Sequence, residues 1–312
     1  MIHAQTLSKR YGTKTAVDGL SFMVQPGKVT GFLGPNGAGK STTMRMIVGL
    51  DRPTAGSVAV NGKRYGQHRS PMHEVGALLE ARAIHRNRSA FDHLLALAQT
   101  HGIGRSRVET VIELVGLQTV ARKRAGGFSL GMGQRLGIAV ALLGDPATVI
   151  LDEPVNGLDP DGVLWIRNLL KSLAAEGRTV FVSSHLMNEM AVTAEQLVIV
   201  GRGRLLAETS VAELIGRAAS RGVRVRTPQA GQLRQLLERG GAAVLPGDQP
   251  DLLQASGIRA DAIGALAAGA GLTLHELTPL DASLEEAYME LTRDSVEYRT
   301  DTATSDAVAG AA

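Results

Sequence analysis

The sequence contains no cysteine. This absence excludes disulfides, thiolate zinc sites and iron–sulfur clusters, and it suits a reducing cytosol. Aromatic residues make up only 3% of the chain, so few rings are available to stack on nucleic-acid bases. Basic residues exceed acidic ones by only 33 to 30, an excess too small to predict nucleic-acid binding but compatible with a phosphate-rich ligand or an anionic membrane surface.

Long apolar runs are also missing. A membrane-spanning helix needs about 20 apolar residues, and the nearest candidate, Ala262–Leu274, is shorter and contains several glycines. The polar segment Met1–Arg10 lacks the apolar stretch of an export signal. We therefore expect a globular chain without a membrane span, so any pore that it serves would belong to another chain.

Strand and helix signals alternate along the first two thirds of the chain. Short apolar runs and alternating segments predict strands at Val29–Leu33, Ser57–Val60, Thr148–Leu151 and Thr179–Ser183, and a late hairpin of Gln196–Val200 with Arg204–Ala207. Apolar residues at helical spacing predict a helix over Lys40–Leu50 and a mainly helical insert that includes Phe91–Leu117. Strands separated by helices indicate an α/β fold with a parallel sheet.

The composition changes near Arg217, where a small α+β domain of about eighty residues is predicted to begin. Val223–Arg226 alternates like a strand and Gln232–Arg239 has helical spacing. The pattern roughly repeats through Ala260–Leu274, and Ser283–Leu291 is predicted to end this domain as a helix. The small, polar residues of Thr300–Ala312 predict a disordered tail.

The strongest motif is a glycine-rich loop between a predicted strand and a predicted helix. It fits the pattern G-x-x-x-x-G-K-[ST] and consists of Gly34, Pro35, Asn36, Gly37, Ala38, Gly39, Lys40, Ser41 and Thr42. Its glycines let backbone N–H groups surround a phosphate, while Lys40 supplies a positive charge and Ser41 a hydroxyl for Mg²⁺. An ordinary glycine-rich turn is the alternative, but the flanking strand and helix favour a phosphate-binding loop.

A pair of carboxylates ends the predicted strand at Thr148–Leu151. In a parallel α/β sheet, ligands bind at the carboxyl ends of the strands. Asp152 is therefore a candidate to hold Mg²⁺, and Glu153 is a candidate to polarise an attacking water. An Asp-Glu pair by itself is more often a solvated turn, and it is the phosphate loop elsewhere in the chain that favours the catalytic interpretation.

A second anion-binding helix end is predicted before the helical run Arg135–Leu143. Ser129 and Gly131 lie in the segment Phe128–Gln134, where a serine and glycines precede the helix. The alternative is that Ser129 only caps the helix and binds no anion. Two phosphate-binding helix ends are difficult to place around one ligand within a single chain. Two copies that face each other, each offering Ser129 to the ATP of the other, would solve this problem.

The order of these motifs resembles the ATPase cassette of ABC transporters over Met1–Arg217. The phosphate loop, the Ser129 signature and the Asp152-Glu153 strand end are followed by Gly157-Leu158-Asp159 and Ser183-Ser184-His185. The resemblance implies a P-loop NTPase fold with antiparallel β and helical subdomains, the helical insert covering about residues 80–145, and a C-terminal accessory α+β domain over 218–299.

The same resemblance implies roles for residues that are unremarkable alone. His185, otherwise a strand-end histidine, would contact the γ-phosphate, and Tyr11, otherwise a ring at the edge of the core, would stack on adenine. Ser129 and Gly131 would contact the opposing nucleotide, and Asp159 would lie in the loop that couples the two sites. The implied cofactors are ATP and Mg²⁺.

Two departures from the usual cassette pattern are similar to those of bacitracin- and multidrug-type export ATPases. Glu80 stands where the family usually has Gln, and the signature is Ser-Leu-Gly-Met-Gly-Gln rather than Ser-Gly-Gly-Gln. The Glu80 carboxylate is an acceptor that could reach Mg²⁺ or water, but when ionised it cannot donate a hydrogen bond as an amide does.

The leading hypothesis is therefore the ATPase subunit of an exporter, pairing with a like subunit and with a separate transmembrane permease at the cytoplasmic face of the membrane. Translation-associated ABC proteins normally carry two cassettes, whereas this sequence has one phosphate loop. DNA-repair or chromosome-organising ABC ATPases need a long coiled coil or cysteine-rich insertions, and the sequence predicts neither. A non-enzymatic nucleotide sensor would be expected to lack Lys40 or Glu153. The insert around Glu80 to Leu97 is predicted to couple to the permease, with Ile84 and Phe91 as candidate anchors and Arg86 and Arg88 on its surface. The C-terminal domain would be regulatory, dimer-stabilising or purely structural.

Overall fold

A computed structural model describes residues 1–80, 84–217, 222–280 and 283–292. In chain order the strands are β1 (Ile2–Tyr11), β2 (Lys14–Val24), β3 (Val29–Leu33), β4 (Ala55–Val60), β5 (Val75–Leu78), β6 (Thr148–Leu151), β7 (Thr179–Ser183), β8 (Gln196–Gly201), β9 (Arg204–Ser210), β10 (Val223–Arg226), β11 (Ala243–Pro246), β12 (Leu252–Ser256) and β13 (Glu276–Pro279). The helices are α1 (Lys40–Ile47), α2 (Pro71–Glu74), α3 (Ala90–Thr100), α4 (Arg105–Leu114), α5 (Leu130–Leu142), α6 (Pro160–Ala175), α7 (Met187–Thr193), α8 (Val211–Arg217), α9 (Ala230–Arg239), α10 (Ala260–Gly269) and α11 (Leu284–Thr292).

The central sheet is six-stranded, in the order β5-β6-β7-β3-β8-β9. Its strands run parallel except for β9, which forms the predicted hairpin with β8. Every residue of β3, β6 and β7 is buried, and burial on both faces explains why these strands were recognisable as short apolar runs. An antiparallel sheet of order β2-β1-β4 packs beside it and places Phe22 against Phe32 and Phe181 of the central sheet.

The first part of the insert is mainly helical, as predicted, but its last helix begins earlier than predicted. Its first part is two helices, α3 and α4, because the chain turns at Gly102, where φ is 69°. Helix α5 begins at Leu130 rather than at Arg135. The glycines at 131 and 133 have low helix propensity, but the Ser129 side chain accepts a hydrogen bond from the backbone N–H of Met132 and caps the earlier start.

The C-terminal sheet has the order β11-β12-β10-β13, and all its neighbouring strands are antiparallel. With α9 and α10 it follows the sequence β-α-β-β-α-β, the split βαβ arrangement. Apolar side chains of both helices fill its core against the sheet, among them Leu233, Leu237, Ile263 and Ala267. The repeated pattern in the sequence therefore corresponds to two helix-containing halves of one sheet.

Helix α11 does not pack in this C-terminal sheet, although the sequence analysis assigns it to the same domain. It packs against α7 and α8, and its buried residues Leu284, Ala287 and Tyr288 belong to the core of the first part of the chain. An amphipathic pattern predicts that a helix buries one face, but not which element covers that face.

The predicted tail at 300–312 lies outside the described residues. Among those that are described, no helix is long and apolar enough to cross a membrane.

Candidate functional site

The phosphate loop connects the buried strand β3 to helix α1. Gly39 is the N-terminal cap of α1 with a φ of 95°, a conformation that favours glycine. A Cβ added to Gly39 would lie 2.5 Å from the Ala16 carbonyl oxygen, and one added to Gly34 would lie 2.5 Å from that of Val200. Close backbone approach therefore requires both glycines. No side chain caps α1, so its first N–H groups are free to bind an anion.

The Lys40 side chain lies over this loop and is only 8% exposed. Its Nζ donates hydrogen bonds to the carbonyl oxygens of Gly34, at 2.6 Å, and Pro35, at 3.3 Å. Burial lowers the pKa of Lys40, while the nearby carboxylates of Glu153 and Asp152 act in the opposite direction. These contacts hold the ammonium group beside the loop, where the phosphates of a nucleotide would lie.

Asp152 follows strand β6, and its carboxylate accepts hydrogen bonds from the phosphate loop and from the end of strand β7. The Ser41 hydroxyl donates to its Oδ2 at 2.6 Å, and the Ser183 hydroxyl at the end of β7 donates to its Oδ1. Ser183 in turn accepts a hydrogen bond from the backbone N–H of Glu153 at 2.9 Å. The sequence predicts no role for Ser183 itself, because its contact with Asp152 depends on the pairing of β7 with β6 in the fold.

Glu153 has a backbone φ of 50°, unusual for a residue with a side chain. Such a conformation costs about 1–3 kcal/mol and is concentrated at functional sites. The Glu153 Oε2 lies 2.7 Å from Nδ1 of His185, so the two predicted catalytic residues meet although 32 positions separate them. The buried Gln134 side chain donates to the Glu153 carbonyl oxygen at 3.3 Å; this is a further contact that the sequence analysis missed.

The phosphate loop, Asp152 and Glu153 line one open cleft of about 710 Å³, whereas His185 is not among its lining residues. Its lining contains Tyr11, the phosphate loop from Pro35 to Thr42, Glu80, Asp152 and Glu153. Lys14, Ala16, Leu79, Leu130, Gln134 and Asn156 complete it. The structure thus brings together most of the predicted nucleotide and metal ligands, and the cleft opens at the carboxyl ends of the central strands.

Tyr11 lies at the end of β1, and its side chain forms part of the cleft wall. It is 48% exposed, and its hydroxyl donates to Asp51 Oδ2 at 2.9 Å. Asp51 also accepts from Arg45 Nε at 2.8 Å, and the Lys9 ammonium lies 4.9 Å from the ring centroid. The ring is therefore oriented through its hydroxyl while much of its surface stays accessible.

Ser129 and Gly131 do not line the nucleotide cleft. Ser129 lines a second cleft of about 470 Å³ with Ile84, Arg86 and Phe128, whereas Leu130 borders both clefts. Gly131 packs against the loop before α6, where an added Cβ would lie 3.0 Å from the Gly157 carbonyl oxygen. Ser129 and Gly131 therefore lie outside the nucleotide cleft of their own chain, although Leu130 between them borders it.

Asp159 lies at the end of the loop that follows Gly157. Its side chain caps helix α6 by accepting a hydrogen bond from the backbone N–H of Gly162 at 2.9 Å. Asp159 therefore stabilises the start of α6 within its own chain.

A third depression, an apolar groove of about 430 Å³, lies between the central sheet and the helical insert. Glu80 lines both this groove and the nucleotide cleft, and the half-buried Ile84 lines it from the insert. Phe91, the other candidate anchor, does not line this groove and is only 4% exposed, because the guanidinium groups of Arg122 and Arg105 cover its ring at 3.9 and 5.0 Å.

The donor set beside the phosphate loop fits a magnesium ion. Ser41 Oγ and Asp152 Oδ2 lie 2.6 Å apart, and both are hard oxygen ligands of the kind that Mg²⁺ prefers, with phosphate and water oxygens completing its shell. Within the described part of the chain, no group of three or more His, Cys, Asp or Glu side chains is arranged to hold a metal. A metal shared with a bound phosphate fits this sparse set better than a dedicated protein site.

Comparison with known proteins agrees with this geometry. A family model described as "ABC transporter" matches residues 17–156, and one described as "Domain of unknown function (DUF8746)" matches residues 221–285. The bacitracin transport ATP-binding protein BcrA of Bacillus licheniformis is 42% identical over 211 residues, which are 67% of this chain and 69% of that protein.

Two further similarities extend the match. The lantibiotic transport ATP-binding protein SrtF of Streptococcus pyogenes is 36% identical over 208 residues, 67% of this chain and 90% of that protein. A solved structure of an ATP-binding subunit of an ABC transporter superposes with a TM-score of 0.64 at 25% identity, covering 70% of this chain and 92% of the other. The chain therefore belongs to the family of ABC transporter ATP-binding proteins, and it binds and hydrolyses ATP.

Proposed function

We propose that this chain is the motor of an exporter, converting ATP hydrolysis into movement of a separate permease at the cytoplasmic face of the membrane. The observation that carries the proposal is the cleft lined by the phosphate loop, Asp152 and Glu153, with His185 in contact with the Glu153 carboxylate. Relatives named for bacitracin and lantibiotic transport support transport as the work that is driven. The permease would choose the cargo.

In the proposed reaction, Lys40 and the N-terminus of α1 bind the phosphates of ATP. Ser41 and Asp152 would hold Mg²⁺, which neutralises phosphate charge when it is bound. Glu153 would accept a proton from the attacking water, and His185, hydrogen-bonded to Glu153 in this structure, would contact the γ-phosphate. Glu80, at the cleft wall, would accept a hydrogen bond from water or approach the metal. Tyr11 would stack on adenine at the mouth of the cleft.

The active assembly is proposed to contain two chains arranged head to tail. Ser129 caps helix α5 and lines the second cleft rather than the nucleotide cleft of its own chain. A second copy would bring its Ser129 and Gly131 to the ATP held by the first. The helix N-terminus would then act on the nucleotide from the opposite side.

The coupling surface is proposed to be the apolar groove beside the insert together with the basic residues next to it. Glu80 belongs to both the groove and the nucleotide cleft, so closure around ATP would change the groove. Arg86 and Arg88 lie beyond Ile84 on an exposed segment, and backbone hydrogen bonds from Gly126 and Ala125 to their carbonyl oxygens fix that segment. A short cytoplasmic helix of the permease would fit the groove, with Ile84 as an anchor.

A double charge reversal tests this coupling. The pair Arg86→Glu and Arg88→Glu should leave the ATPase rate of the isolated subunit unchanged and should reduce export in membrane vesicles that contain the permease. The C-terminal sheet with α9 and α10, residues 223–279, is called the C-terminal sheet domain. A matched control reverses two of its exposed arginines, Arg224→Glu with Arg239→Glu, and should leave export unchanged. Normal export by the first variant, with the permease still co-purifying, would place the coupling surface elsewhere.

A further inference from the structure

Helix α11 connects two parts of the chain that are separate in sequence. It follows β13, the last strand of the C-terminal sheet, but it packs against α7 and α8 of the ATP-binding part. Its buried residues Leu284, Ala287 and Tyr288 share one hydrophobic cluster with Met187 and Met190 of α7. The helix that follows the C-terminal sheet in the chain therefore packs on α7.

Helix α7 begins two residues after His185 and is packed from several sides. Glu189 forms an ion pair with Arg167 of α6 at 2.7 Å. The Met190 sulfur packs over Gly31 of β3, where an added Cβ would lie 3.1 Å from it. These two contacts come from the central core. A further contact comes from α11, which follows the C-terminal sheet in the sequence.

The position of His185 depends on the backbone that α7 anchors. Its side chain is 53% exposed, so little packing holds the ring itself. The Ser184 hydroxyl accepts a hydrogen bond from the backbone N–H of Leu186 at 3.0 Å, which fixes the turn into α7. A shift of α7 would therefore move the imidazole away from Glu153, whose Oε2 it now approaches to 2.7 Å.

We propose that α11, which follows the C-terminal sheet in the chain, positions His185 through α7. Tyr288 and Leu284 are positioning residues in this scheme, since neither of them lines the nucleotide cleft. The inference goes beyond the proposed function and rests on it at one point, the role of His185 in hydrolysis.

A double-mutant cycle in the full chain tests the connection. Tyr288→Ala should lower the kcat for ATP hydrolysis by on the order of tenfold, because small displacements of a catalytic group are costly, and should leave the KM for ATP unchanged. In a His185→Ala background, the same substitution should have no further effect on kcat. A role in stability alone would instead give additive losses.

Three variants complete the design. Met289→Ala, at an exposed position of the same helix, should leave kcat unchanged. Tyr288→Phe keeps the ring and should restore nearly normal turnover. If Tyr288→Ala fails to fold, Leu284→Val makes a smaller change in the same buried face and should show a weaker kcat defect that is again absent in the His185→Ala background.

An NMR measurement separates this inference from the proposed function. The sequence contains eight histidines, and the imidazole signal of His185 is identified by its loss in His185→Ala. That signal should shift in Tyr288→Ala, or in Leu284→Val, but not in Met289→Ala. An unchanged signal would overturn the connection. A shifted signal with normal kcat in His185→Ala would instead uphold the connection and remove His185 from the proposed mechanism.

Discussion

The nucleotide cleft and the C-terminal sheet domain differ in what they bury: the cleft buries polar groups, and the sheet domain buries apolar side chains. The cleft contains a buried lysine and a glutamate in a left-handed backbone conformation, and the buried Ser183 hydroxyl donates to Asp152 behind it. The core of the sheet domain is an apolar cluster contributed by alternating strand positions and one face of each helix. Polar burial and backbone strain reduce stability, and their concentration in the cleft indicates that this region is organised for chemistry.

This comparison predicts that equivalent substitutions have unequal effects in the two regions. The largest difference is expected for a single glutamate-to-glutamine change. Glu153→Gln should lower ATP turnover by on the order of 10²–10⁴-fold and spare ATP binding, because the amide cannot accept the proton of the attacking water. Steady-state hydrolysis with nucleotide-binding measurements checks both statements.

Glu238→Gln, in helix α9 of the sheet domain, is the matched control. Its partner is Arg234, one turn away on the exposed face of that helix, so turnover should stay normal. Near-normal hydrolysis in Glu153→Gln as well would remove Glu153 from the mechanism and erase the contrast between the two regions.

Two glycines with positive φ give the next comparison. Gly39→Ala should destabilise the chain by roughly 3 kcal/mol, since left-handed strain and the clash with the Ala16 carbonyl oxygen add together. Gly257→Ala, in the sheet domain, has no atom within 4 Å of the added Cβ and should cost only about 1–2 kcal/mol. Denaturant unfolding measures both values, and equal losses would show that the loop tolerates a side chain.

The smallest expected effect concerns Tyr11. Stacking of a base on an aromatic ring contributes about 1–3 kcal/mol, so Tyr11→Ala should weaken ATP binding by about five- to a hundred-fold. Tyr11→Trp should be tolerated. Inorganic triphosphate, which has no base, should bind Tyr11→Ala as well as it binds the unchanged protein; equal weakening for both ligands would argue against stacking.

The features that the sequence predicted are those with a local signal. The phosphate loop and the strand before it are contiguous, and burial on both faces makes β3, β6 and β7 continuous apolar runs. Strands β1 and β2 were missed because only part of each is buried and polar residues interrupt the pattern. The contacts of Ser183 and Gln134 join positions far apart in the chain, so they depend on the tertiary fold.

The packing of α11 also depends on the tertiary fold and could not be predicted from the sequence. Leu284, Ala287 and Tyr288 lie on one face of a helix, which predicts burial but not the partner. Adjacency in sequence suggested the C-terminal sheet, whereas the structure places this face against α7 and α8. The division of the chain at residue 217 stays a prediction, and 218–221 lie outside the described residues.

The most direct test of the account is complementation between two inactive chains. Lys40→Ala removes the phosphate-binding ammonium, and Ser129→Arg blocks the start of α5. Each protein should be inactive alone in the presence of the permease, and mixing them should restore hydrolysis because one site of the heterodimer is complete. No recovery, with heterodimers demonstrated by cross-linking, would contradict the claim that Ser129 of one chain completes the ATP site of the other.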